Sequence, residues 1–489
     1  MMHFEKFPRI KCEDGSFLIW DSRQDAGDSE TIVLLDRWLE KKEIAEELLV
    51  RPGAKRVVAS REWEDFLSAS EIKIQIVKNA SAFMGQCTSK FYNEPSKKMH
   101  IIGITGTNGK SSIAEILGQC FLKSGSKVLV LGTLGARLFD PTHSFLEAKE
   151  TVDMGFTTPE GPAFHSLLNQ AASEGVEYVV AEVSSHALVL GRVSGIEFDQ
   201  AIFSNLSQDH LDFHRTMESY AEAKAKLFND YLATSSKKEK FAILGLANDN
   251  SKKVRSCLSP TNAYDLKFVE ESDIVVEKQS SKEMKFEYKG LSFTTPLIGE
   301  FNAWNLSLAC EALRNLEFGD KKIVECFSEL RPIVGRLERC AENVFVDFAH
   351  TPDALRSVLM TLRKLLHPGG KIICVFGCGG DRDKQKRPLM GAIANKFSDV
   401  IYVTSDNPRS EDPTVIADEI LLGVQGAGPE KVLVELDRRV AIERAIESKN
   451  KNDILLVAGK GHESYQIIGD AVKPFSDQQV IKDFLKNSE

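Results

Sequence analysis

The run Gly103-Ile104-Thr105-Gly106-Thr107-Asn108-Gly109-Lys110-Ser111 has the residue types of a loop that holds phosphate. Glycines let backbone N–H groups approach an anion, and a following helix N-terminus favours its charge. Lys110 can neutralise terminal phosphates, and the Ser111 hydroxyl can join Mg²⁺. The spacing departs from the usual phosphate loop, because Ile104 stands where its first glycine belongs. The competing reading, a glycine-rich turn with an exposed lysine, is disfavoured by an apolar strand before the run and a helical pattern after it. Glu182 and His210 each follow a strand-like run, where ligands of a sheet-end site belong; taken alone they read as a surface carboxylate and a capping or core histidine. His210 and His214 have the i, i+4 spacing of a zinc pair, but Leu211-Asp212-Phe213 lacks the H-E-x-x-H glutamate and no third ligand is evident. A zinc hydrolase fits poorly.

The elements that must position these residues alternate. His100 to Ile104, Lys127 to Leu131, Tyr178 to Val183 and Ala201 to Phe203 are strand-like; Ser111 to Leu122 and Thr216 to Phe228 are helical. Strand, loop and helix in alternation predict a parallel sheet with ligands at its strand ends. A second series, Val344 to Phe348, Lys371 to Phe376, Val400 to Val403 and Ile454 to Val457, predicts another doubly wound unit. With 489 residues the chain exceeds one core. The expected fold class is α/β in three domains: a small N-terminal α/β domain over 1–97, a central parallel-sheet ATPase domain over 98–335, and a C-terminal Rossmann-like domain over 336–489.

A hydrophobic fraction of 42% and a charged fraction of 27% are globular values. No apolar run approaches a membrane span, and the first residues lack the pattern of a secretory signal, so a cytoplasmic protein is expected. The nine cysteines are scattered, and Cys374 and Cys378 read as packing residues in reduced form. A net charge of −9 gives no general attraction to nucleic acid.

The variant T-G-T-N-G-K-[ST] resembles the ATP loop of the Mur ligase family. Further matches follow in order: Thr157-Thr158-Pro159, Glu182-Val183-Ser184-Ser185-His186, Asn205 to Asp212, Tyr220 to Lys224, Gly299 to Asn302, Gly335 to Glu338, and Asp347 to Pro352. The resemblance implies an ATP-dependent acid–amino-acid ligase that activates a carboxylate as an acyl phosphate for attack by an amine. It implies Gly106, Thr107, Asn108, Gly109, Lys110, Ser111, Asn302, Arg336 and Asp347 as ATP-binding residues, and Mg²⁺ on Ser111, Glu182 and His210. It also implies that Lys224 carries a CO₂-derived carbamate; burial can lower a lysine pKa and expose the amine that CO₂ needs. Lys110, Glu182, His210 and Lys224 form the expected catalytic set. Thr157, Thr158, Ser184 and Arg192 match positions that contact a UDP-muramyl substrate, with hydroxyls and a guanidinium suited to its oxygens.

In the C-terminal part, Gly377 to Pro388, Asp406-Asn407-Pro408-Arg409 and Gly459-Lys460-Gly461-His462-Glu463 resemble the diaminopimelate-adding members of the family. Diaminopimelate ends in its own zwitterion, so its site needs a cation and an anion. Arg387 and Arg409 are expected to grip the distal carboxylate and Glu463 the distal ammonium, beside Asp406, Asn407, Pro408 and Gly459. Lysine would leave a guanidinium unpaired. The bland reading of Asp406 to Arg409 is a surface turn. At the N-terminus Asp21-Ser22-Arg23 and Gly27-Asp28 match the expected uridine-side words, with Ser22 as the candidate, but Leu34 to Glu47 lacks the usual glycine-containing pattern. The expected partners are small molecules only, for a monomer. The competing readings are a lysine-adding or other sister ligase, a folylpolyglutamate synthetase, and a non-catalytic nucleotide-binding regulator.

Overall fold

The computed structural model describes residues 2, 5, 8–19, 24, 30–35, 42–50, 53–68, 72–143, 148–426, 428 and 430–488. The candidate Ser22, with the rest of Asp21-Ser22-Arg23 and Gly27-Asp28, lies outside them.

The first unit is a four-stranded parallel sheet in chain order, Phe17–Ile19, Thr31–Leu35, Ala54–Ser60 and Lys73–Val77. Helix Ala80–Phe91 follows, its N-terminus capped by Asn79, which accepts from Ala82 N at 3.1 Å.

The central sheet has eight strands in the order Asp265–Glu270, Phe241–Leu246, Gln200–Phe203, His100–Thr105, Tyr178–Glu182, Val128–Gly132, Gly135–Phe139 and Glu150–Val152. The first six run parallel, and the last two extend the sheet through antiparallel pairings. Its strands are apolar on both faces because both are covered. Ile102, Ile104, Val128, Val130 and Val180 pack into one layer with helices Lys110–Lys123 and Glu300–Arg314, while Ile101, Leu129, Leu131, Val179 and Ala181 pack into the other. His100–Thr105 lies between strands reached by connections of opposite sense, so the crevice beyond Thr105 is where a ligand of such a sheet collects. An antiparallel sheet, Ile274–Gln279, Met284–Tyr288 and Leu291–Thr295, joins the Glu300–Arg314 side of the core.

The last unit is a six-stranded sheet, Glu338–Ala341, Val344–Asp347, Ile454–Ala458, Ile372–Phe376, Val400–Val403 and Val432–Val434, parallel except for the first strand. A hairpin, Tyr465–Ile468 with Ala471–Pro474, stands beside it. The start of helix Arg438–Ser448 is tied to that of Asp477–Ser488 by an enclosed ion pair, in which Arg438 donates to both Asp477 oxygens at 2.8 and 2.7 Å. Both side chains are fully buried. Asp477→Ala should leave the guanidinium uncompensated and cost about 3–5 kcal/mol, read as a lowered melting temperature; an unchanged melt contradicts this.

Candidate active site

The phosphate loop turns at Gly106 and Gly109, with φ of 151° and 88°. A Cβ at Gly106 would fall 1.9 Å from Ser204 Oγ, and one at Gly109 would fall 2.4 Å from Asn305 Oδ1, so only glycine fits either place. The segment after strand Gln200–Phe203 holds the loop down. Thr107 N donates to Asn205 O at 2.9 Å, Asn108 N to Asn205 Oδ1 at 3.0 Å, and Ser207 N to Thr107 Oγ1 at 3.1 Å. Lys110 Nζ folds back onto the carbonyls of Gly106 and Thr107 at 2.9 and 2.8 Å. Burial lowers its pKa, with Arg336 adding to the effect.

Glu182 closes its strand beside Gly132. Its carboxylate accepts from Thr133 N at 2.9 Å and Thr133 Oγ1 at 3.2 Å, and Thr133 Oγ1 lies 3.1 Å from Thr157 Oγ1. A Cβ at Gly132 would meet Glu182 Oε1 at 2.1 Å. Gly132→Ala should therefore keep the fold, since a flexible carboxylate can move aside, yet lower ATP turnover by on the order of 10²-fold. Steady-state turnover beside a thermal melt checks this; full activity would separate Glu182 from the chemistry.

His210 adopts left-handed backbone (φ 54°), with Nε2 3.4 Å from Asp209 Oδ2. Burial pushes its ring well below the usual histidine value; Asp209 opposes, while His186, Lys224 and Lys110 add to the push. The neutral imidazole that results is the form that ligates a metal. Burial opposes the ionisation of Asp209, but its neighbours, the Lys386 ammonium among them, keep its carboxyl below the usual carboxylate value. Lys224 is 1% exposed, with Nζ 4.3 Å over the Tyr220 ring. Burial, and next to it Lys110, push its pKa well below the ordinary lysine value. Lys110, Ser111, Glu182, Asp209 and His210 border one cavity. Among the described residues no three carboxylate, imidazole or thiol groups form a ready-made metal cluster, so a hard cation here would draw its remaining ligands from phosphate oxygens.

From the far side of the crevice Arg336 NH2 donates to Ser111 Oγ at 2.8 Å, its guanidinium 4.7 Å over the Phe348 ring. Asp347 accepts from Leu337 N at 2.5 Å, and burial raises its carboxyl to about 6. These groups border a cavity of about 430 Å³. Its lining includes Thr107 to Ser112, Thr157, Glu182, Ser184, His210, Arg336 and Asp347, and extends to Asp406, Asn407, Arg409, Gly459 and Glu463.

Other expected residues stand behind the wall. Thr158 Oγ1 donates to Glu182 O at 2.8 Å and accepts from Ser184 N at 3.0 Å, while Arg192 pairs with Glu160 at 3.0 Å. Gly106, Pro408 and Lys224 are likewise outside the lining. Asn302 spends its amide on Ile298 O at 2.8 Å and its carbonyl oxygen on Asn305 Nδ2 at 3.3 Å, and Asn305 lines the cavity instead. Arg387 is a correction. It is fully buried, lies outside the cavity lining, and commits NH1 and NH2 to Glu411, Glu419 and Gly379 O. Arg382, five positions earlier, lines the cavity near Arg409. Burial, and then the Arg382 guanidinium, disfavour the charge on Arg409, and among the described residues neither arginine has an ion-pair partner. Asn407 Nδ2 and Lys460 Nζ both donate to Glu463 Oε2 at 2.8 Å, fixing that carboxylate across the cavity mouth. Thr133, Asn305, His350, Arg382 and Lys386 are lining residues that motif reading left unassigned.

The Mur ligase middle domain matches residues 104–313, and the Mur ligase, glutamate ligase domain matches 335–461. A UDP-N-acetylmuramoyl-L-alanyl-D-glutamate–2,6-diaminopimelate ligase of Prochlorococcus marinus is 38% identical over 467 residues, covering 90% of this chain and 86% of that one. A solved structure of a ligase with the same name has a TM-score of 0.64 at 28% identity, covering 96% and 94%. The MurF ligase from Thermotoga maritima in complex with ADP has a TM-score of 0.58 at 19% identity, covering 96% and 97%, a likeness of fold.

Proposed function

The chain belongs to the Mur ligase family, and from that premise we propose that it joins meso-2,6-diaminopimelate to UDP-N-acetylmuramoyl-L-alanyl-D-glutamate at the expense of ATP, in the building of peptidoglycan. The observation that carries this reading is the single cavity wall that runs from the phosphate loop at Lys110 to the paired arginines Arg382 and Arg409. The proposed division is 1–97 for the uridine nucleotide, 98–335 for ATP and 336–489 for the incoming amino acid, in a cytoplasmic monomer. No helix among the described residues is long and apolar enough to cross a membrane.

The glutamyl carboxylate of the acceptor attacks the γ-phosphorus of ATP, giving an acyl phosphate and ADP. The incoming amine, having lost its proton, attacks the acyl carbon, and the tetrahedral intermediate collapses with release of phosphate. Backbone N–H groups of the loop, Lys110 and Arg336 hold the phosphates and match the charge that develops on them. Mg²⁺, which Ser111, Glu182 and His210 would hold with the Lys224 carbamate, supplies neutralisation of the phosphate oxygens. Lys224 as free amine is the form that takes up CO₂. Thr157 and Ser184 orient the acceptor peptide, with Thr158 and Arg192 bracing them from behind. Arg382 and Arg409 receive the distal carboxylate of diaminopimelate, and Glu463 its ammonium.

Phosphate release is the test, with ATP, the UDP-muramyl dipeptide and diaminopimelate omitted one at a time. Release that needs all three is expected. Release without the muramyl dipeptide would point to another acceptor, and none with the full set to a nucleotide-binding regulator.

A further inference from the structure

Two loops at the amino-acid end of the cavity are laced together through a half-buried carboxylate, Glu411. Arg387, in the first turn of helix Lys386–Phe397, donates to both Glu411 oxygens at 3.0 and 2.9 Å, to Glu419 Oε2 at 2.6 Å and to Gly379 O at 3.1 Å. Glu411 in turn accepts from Asp381 N at 2.6 Å and lies 3.0 Å from Lys384 Nζ. In the other direction, Asp381 accepts from Ser410 N at 3.2 Å and Ser410 Oγ at 2.7 Å. Gly380 N donates to Asn407 O at 2.9 Å, and Arg409 NH1 to Gly380 O at 2.7 Å. The approach is close enough that a Cβ at Gly380 would fall 1.9 Å from Pro408 O.

Asp381 and Arg409 both have φ of 51°, a conformation that costs a non-glycine residue energy and persists only where neighbouring bonds over-determine it. Arg382 and Arg409 are like charges on the two facing loops, so holding them together at one wall also opposes repulsion. Glu411 meets both needs, since it anchors the residue before Arg382 and is itself two residues from Arg409.

We propose that Glu411, backed by Arg387, is a positioning residue for the incoming amino acid: it touches no substrate, but sets the two guanidiniums at the spacing that selects a distal carboxylate. This rests on the reading of Arg382 and Arg409 given above.

In the full-length enzyme, Glu411→Gln should raise KM for diaminopimelate about 10- to 100-fold, with kcat and KM for ATP unchanged within about twofold. Placed on a variant that lacks both guanidiniums, Arg382→Ala with Arg409→Ala, the same substitution should add almost nothing. An unchanged KM for diaminopimelate, a rise for all substrates together, or an effect of Glu411→Gln that persists in full without the two arginines would overturn the proposal. Ser410→Ala, which removes one exposed hydroxyl from the lacing, should give a smaller rise in the same KM; it keeps the test open if Glu411→Gln does not fold, and no rise there counts against the proposal. If Arg409→Ala itself leaves KM unchanged, the ligand reading has failed and the proposal with it. If Arg409→Ala raises KM and Glu411→Gln does not, the proposal alone has failed.

Discussion

Lys224→Ala is expected to bind ATP normally and to lose amide synthesis by on the order of 10²–10³-fold. The lysine is enclosed, sits over the Tyr220 ring and has Lys110 for an electrostatic neighbour, a poor place for an ammonium. Conversion to a carbamate would replace the uncharged amine with an oxygen-bearing anion that Lys110 favours. Alanine removes the anion but leaves the loop itself, whose glycine turns and bonds to Asn205 do not involve Lys224. Nucleotide binding by calorimetry and turnover by phosphate release separate the two. A short-chain carboxylic acid should restore part of the activity by supplying the missing carboxylate. Full activity in the variant, without any added acid, would end the carbamate reading.

Arg409→Ala should lose at least about 10²-fold in kcat/KM for diaminopimelate and, with it, most of the preference over lysine. The reason is an asymmetry of cost. A guanidinium in a half-buried wall is stabilised by a carboxylate and left unpaired by lysine, which has none at that end. Arg409 is held by Gly380 O and by the backbone bridge to the hairpin, where Arg409 N donates to Ile467 O at 3.1 Å. Alanine can keep the backbone bonds, so the fold should survive while discrimination falls. Unchanged discrimination against lysine would remove Arg409 from the specificity site.

The central chemistry was legible because its residues are tied to local sequence. A glycine loop between an apolar strand and a helix has few other uses, and strands buried on both faces show as continuous apolar runs. What sequence could not settle was which of two similar side chains faces the ligand. Arg382 and Arg387 are close in the chain, and the second is consumed by Glu411 and Glu419, 24 and 32 residues away. Asn302 and Asn305 share a helix one turn apart, and the packing of that helix turns Asn305 to the cavity. The antiparallel sheet over 274–295 carries only a short local signal: Lys289-Gly290, both with positive φ between paired Tyr288 and Leu291, is a two-residue hairpin turn. The N-terminal word Asp21-Ser22-Arg23 falls outside the described residues, so the uridine side rests on sequence alone.

The most direct measurement is a competition. The enzyme is given ATP, the UDP-muramyl dipeptide and equal amounts of meso-diaminopimelate and L-lysine, and the product is weighed by mass spectrometry. The two possible tripeptides differ by one carboxyl group and are resolved at once. A product that carries diaminopimelate almost exclusively is the predicted result; one that carries lysine would contradict the assignment of Arg382 and Arg409.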